Sequence, residues 1–158
     1  MRKLTKYEEI IGEYEHNVDV IEYSFRSNNI KGLYSNGVVA INNKLSTTEK
    51  TGTIAEELGH HHTSSGDILD MDSTSNRKQE LRARVWAYDK LINLQGFIDA
   101  FEHHCTNMYE TAKFLDVTEE FLVDSINAYM HKYGCYIKYK NYVIEFGFNS
   151  VNVIKQYN

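Results

Sequence analysis

The stretch Thr53-Ile54-Ala55-Glu56-Glu57-Leu58-Gly59-His60-His61-His62, read with Glu80 downstream, decides how the rest of the chain is to be understood. Its frame is that of the metal-binding helix H-E-x-x-H, in which two histidines one turn apart flank a glutamate. Here the frame reads Glu56-Glu57-Leu58-Gly59-His60, so a carboxylate stands at the place of the first histidine. At about 100° per residue, Glu56 and His60 project from one face and Glu57 lies about a quarter-turn away. Ile54 and Leu58 point to the opposite side, towards a core. The spacing therefore predicts an amphipathic helix whose polar face carries two metal donors and a base.

A hydrolytic zinc site needs three protein ligands, an open fourth position and a base for the water's proton. His60, Glu80 and Glu56 can supply the ligands and Glu57 the base. Two carboxylates cancel the charge of a divalent metal, whereas two histidines and one carboxylate leave it at plus one. The exchange shifts the preference from zinc towards oxygen-loving metals such as manganese. Plainer readings stand beside this one. Glu56 and Glu57 are also what a solvated helix face looks like, and Glu80 is spaced to pair with Arg84 at i+4. His61 reads as a partly buried structural histidine, and His62 points away from the proposed site. Glu102-His103-His104-Cys105 is rich in ligand types, but adjacent residues diverge around a helix, so it is not expected to hold a metal.

Composition bounds the rest. A chain of 158 residues builds one domain, or one domain with an appendage. A formal charge of −5 argues against a partner that must be held through its phosphates. Cys105 and Cys135 lack C-x-x-C spacing and read as two buried thiols of a reducing compartment. The first fifteen residues are charged too early for a signal-peptide core, and no apolar run approaches membrane-spanning length. A cytoplasmic location is expected, with no membrane partner.

Along the chain, Lys3 to Tyr14 has the apolar spacing of an opening helix, and Val18 to Phe25 reads as a strand. Ile30 to Ile41 is a hairpin around Asn36-Gly37, the dipeptide of a type I′ turn. Ser46-Thr47-Thr48-Glu49 has the spacing of a capping box and starts the motif helix. Thr63 to Asn76 reads as a polar connection; Asp67, Asp70 and Asp72 do not fit a calcium loop. A strong helix is expected over Arg77 to Leu94. One stripe on it is Leu81, Val85, Tyr88 and Ile92. The second, Glu80, Ala83, Ala87 and Leu91, would let another helix come near and set Glu80 against Glu56 and His60. Shorter helices follow over Phe97 to His104, Met108 to Leu115 and Thr118 to Tyr133, with a terminal β-hairpin over Tyr136 to Phe146. Helices in the middle and strands near both ends make an α+β fold.

The run AEELGHHHTSSGDI, then RKQELRARVWAYDKLI, then YETAKFLDVTEEFL, resembles the ImmA/IrrE family of metallo-endopeptidases. It is most similar to the short members carried by phages and mobile elements of low-GC Gram-positive bacteria. The resemblance implies a zincin-like core over 1–95 and a helical region over 96–158 that resembles a helix-turn-helix and ends in the hairpin, the two forming one compact unit. It implies zinc as cofactor, Glu57 as the catalytic glutamate, and His60 and Glu80 as ligands. The family's first histidine falls on Glu56. The implied activity is cleavage of a helix-turn-helix repressor, which relieves repression. The alternative is a degenerate module that binds such a regulator without cutting it. A DNA reader would want lysine or arginine where Glu119 and Glu120 open the last helix, so no direct DNA binding is expected.

Overall fold

A computed structural model of the chain describes residues 2–63 and 73–157, with the backbone alone for 73–75. The fold is α+β, and the chain divides into two compact units, Met1–Ala87 and Tyr88–Asn158.

The first unit opens with helix α1, Lys6–Tyr14. It starts three residues later than its apolar spacing suggests because Thr5 and Glu8 close a capping box there. Strands β1 (Asp19–Tyr23), β2 (Gly32–Ser35) and β3 (Val38–Asn42) form a sheet in the order β1-β3-β2. The β2–β3 hairpin is the expected one: Asn36 and Gly37 both have positive φ, 46° and 80°. β1 runs parallel to β3, which leaves β2 as an edge. Helix α2, Thr47–Thr63, is capped by the reciprocal Ser46–Glu49 bonds and packs on α1, β2 and β3. Val39, Ile41, Ile54, Ala55 and Leu58 are fully buried there. Val39 and Ile41 alternate along a strand, while Ile54, Ala55 and Leu58 recur at helical spacing, so the two periods place one core between sheet and helix.

Helix α3, Ser73–Leu91, carries the divide between the units. It takes in residues 73–76, which the sequence places in the polar connection, while Asp67, Asp70 and Asp72 lie outside the described residues. It ends at Leu91 because Asn93 turns left-handed at φ 60° and its side chain accepts from the Leu94 amide. Of the two expected stripes, Ala83 and Ala87 are fully buried as predicted, but Leu81 is exposed.

The second unit continues with α4 (Asn93–Glu102), α5 (Met108–Leu115) and α6 (Glu119–Tyr133). Asp116 in the left-handed region breaks α5 from α6, and Thr118 caps α6. Tyr129, almost fully buried, donates to Asp89 Oδ1 at 2.8 Å. The terminal hairpin is a three-stranded meander instead: β4 (Tyr136–Tyr139), β5 (Tyr142–Gly147) and β6 (Ser150–Lys155). The tight Phe148-Asn149 turn, with Asn149 at φ 50°, adds the third strand without a glycine or proline at its tip. Both cysteines are free thiols and neither is buried: Cys105 is half-buried, and Cys135, which precedes β4, is exposed. Among the described residues no helix is long and apolar enough to cross a membrane.

The tightest backbone approach at a glycine of the first unit is at Gly59. A Cβ built there would lie 2.2 Å from the Ala83 carbonyl oxygen, so only glycine fits between α2 and α3. Gly59→Ala is expected to cost about 2–3 kcal/mol in urea unfolding, as overpacking does. Gly12→Ala, where a Cβ meets nothing within 4 Å, should gain roughly 0.5–1 kcal/mol from helix propensity. Equal effects of the two changes would contradict the packing described.

Candidate active site

Four residues of α2 face two ways. Gly59 turns to Ala83 of α3, and beside that contact His60 meets Glu80: Nε2 lies 3.4 Å from Oε1. The carboxylate of Glu80 is more than half exposed, and it meets this histidine, as its stripe on α3 predicts, rather than Arg84 at i+4. Glu57 turns the other way, to β2, where a Cβ built on Gly32 would lie 3.2 Å from Glu57 Cγ. His61, one turn after Glu57, shares a 2.8 Å hydrogen bond with Tyr34 through Nδ1.

The electrostatics single out Glu57. Burial pushes its carboxyl up to about 7, and the charges of Glu56 and Glu80 push the same way. Glu56 and Glu80 are thus both near enough to act on Glu57, and His60 meets the same Glu80. In donor chemistry this set fits a divalent cation, which takes imidazole nitrogen and carboxylate oxygen together. Among the described residues no group of three such side chains is gathered ready to hold a metal. What the structure does bring together is the pair His60 and Glu80, with Glu56 one turn before His60 on α2.

Two aromatic contacts at this end of α2 are not visible in the motif. His62 stacks on Trp86 at 4.7 Å between ring centroids, with Tyr14 edge-on to both rings. Tyr34 meets His61 edge-on at 5.3 Å. The alternation of β2 puts Gly32 and Tyr34 on one face, a signal that could have paired Tyr34 with the motif helix. The other ligand-rich run makes contacts of its own in the second unit. Glu102 accepts from the Tyr142 hydroxyl and pairs with Lys155, and His103 stacks on Phe114.

A carboxyl whose folded pKa is raised binds its proton more readily in the folded chain. The folded state then holds more protons than the unfolded one between about pH 4.5 and 7, so stability falls as pH rises through that window. In chelator-treated protein, Glu57→Gln should remove this loss and be more stable than wild type at pH 8, by on the order of 2–3 kcal/mol. At pH 4 the two should agree closely. A difference independent of pH would show that Glu57 is not buried among charges as described.

A search of curated proteins finds no match to the chain. The family model of the M78 peptidases, described as the IrrE N-terminal-like domain, matches residues 14–127. That match takes in β1 to β3, α2 with its E-E-x-x-H frame, α3 with Glu80, and the helices through most of α6. By its α+β fold and by this match over most of its length, the chain belongs to the ImmA/IrrE family, the M78 peptidases.

Proposed function

We propose that this chain is a metal-dependent endopeptidase that cleaves a helix-turn-helix repressor and thereby relieves repression. Family membership supports a peptidase. The observation that carries the site is the His60–Glu80 pair beside a half-buried Glu57 whose carboxyl is pushed up. In this reading His60, Glu80 and Glu56 hold the metal, zinc first and manganese as the alternative. A bound divalent ion supplies acidification of water and polarisation of the scissile carbonyl.

The remaining work falls to the chain itself. Glu57 takes the water's proton and returns it to the departing amine. A carboxyl near neutrality is matched to both transfers. β2 presents an edge to which an extended substrate can add by backbone hydrogen bonds. Two carboxylate ligands neutralise a divalent charge, so this site should acidify water less than one with two histidines.

Protein purified without chelator, and a repressor encoded beside it, test the assignment through bound metal and cleavage. Glu57→Gln should retain metal and lose about 100-fold or more in cleavage. Glu56→Ala should bind metal more weakly. Glu56→His restores H-E-x-x-H and should hold zinc at least as firmly. Equal metal loss in Glu57→Gln and Glu56→Ala would refute the division into a base at Glu57 and a ligand at Glu56. Intact repressor with wild type, in the presence of metal, would contradict the activity.

Duplex DNA falls outside the partner set. Glu119 and Glu120 are exposed in the first turn of α6, the helix a helix-turn-helix would insert, and they repel phosphate. No sequence-selective, salt-sensitive retardation of DNA is expected from the isolated protein, and its appearance would refute this point.

A further inference from the structure

The face of β2 turned to α2 carries two contacts in register. Gly32 lies against Glu57, and two residues on Tyr34 lies against His61. Glu57 and His61 are themselves four apart on α2. The Tyr34 hydroxyl is thus held on the residue one helical turn after the base, on the same face of α2. The strand that bears it is one of the sheet's two edges, and among the described residues no strand pairs with its outer side.

Attack on a peptide carbonyl leaves negative charge on the carbonyl oxygen, and a fixed hydrogen-bond donor aimed there stabilises the transition state. Glu56, Glu57 and Glu80, when ionised, accept hydrogen bonds only. His60 Nε2 is turned to Glu80. Tyr34 brings a neutral O–H to this seam, and the half-buried His61 ring fixes its direction.

Resting on the peptidase reading above, we propose that Tyr34 is a further catalytic residue, the donor to the oxyanion, and that His61 is its positioning residue. The His61 tautomer decides whether this works. With the proton on Nδ1, His61 donates to the phenol oxygen and leaves the phenolic hydrogen for the substrate. With the proton on Nε2, Nδ1 accepts that hydrogen and uses it up. The active form of His61 is therefore the Nδ1–H tautomer. In the step itself the water oxygen bonds to the carbonyl carbon while its proton passes to Glu57. The carbonyl π pair moves onto oxygen, and Tyr34 keeps its proton throughout.

Tyr34→Phe tests this because it keeps the ring against His61 and removes only the hydroxyl. A degenerate mixture of internally quenched peptides serves as probe, with kcat and KM then measured on the peptide cleaved best. Tyr34→Phe should lower kcat by about 100-fold, with KM within about twofold of wild type and metal content unchanged. His61→Phe should lower kcat about 10-fold, and His61→Asn, which can donate from the place of Nδ1, should recover most of that loss. Unchanged kcat in Tyr34→Phe, or a defect confined to KM or to metal content, would overturn the proposal while leaving the peptidase reading intact. Absence of cleavage by wild type itself would remove both.

Discussion

The contact between Gly59 of α2 and the Ala83 backbone of α3 is the constraint on which the site depends. Side chains longer than a hydrogen hold two helices farther apart, and an imidazole and a carboxylate on facing helices then fail to meet. With glycine at the contact, the next residue of α2 and a residue one turn earlier on α3 come within 3.4 Å. The helix-propensity penalty of an interior glycine, about 1 kcal/mol, is the cost of that approach. The same logic acts on the other side of α2. There Gly32 of the edge strand admits the Glu57 side chain, and the sheet can lie close to the motif helix.

The consequence is a helix with divided duties. One side, Ile54, Ala55 and Leu58, is sealed in the core and fixes the helix rotation. With rotation fixed, His60 is committed to α3, and Glu57 and His61 to β2. Carboxylates from two helices then crowd Glu57, whose charged form burial already opposes. In the metallopeptidase reading proposed above, a bound cation would offset that crowding. Glu56, which stands where the H-E-x-x-H frame has its first histidine, adds to that crowding.

Much of this was legible in the sequence because it rests on local rules. The Asn36-Gly37 turn, the Ser46–Glu49 capping box, the Asp116 break and the small-residue stripe of α3 each have a short-range signature, and each appears where expected. What escaped is not local. The parallel pairing of β1 with β3 joins segments separated by β2. The end of α3 at Leu91 depends on a left-handed asparagine, which no proline or glycine announces. β6 was missed because its turn is Phe148-Asn149, an uncommon choice for a tight hairpin. In the site, the E-E-x-x-H frame brings forward Glu56, Glu57 and His60 by spacing, and the small-residue stripe of α3 sets Glu80 beside His60. Tyr34 belongs to another strand, and only the packing of β2 on α2 shows that it meets His61.

The central claim, that α2 and α3 together hold a divalent metal through His60 and Glu80 with Glu56, is tested most directly by diffraction at the zinc edge. Crystals grown with zinc should show one anomalous peak at the α2–α3 junction, roughly 2.0–2.2 Å from His60 Nε2 and from carboxylate oxygens of Glu80 and Glu56. A fully occupied peak bound elsewhere in the chain, with the His60–Glu80 junction empty, would contradict the account.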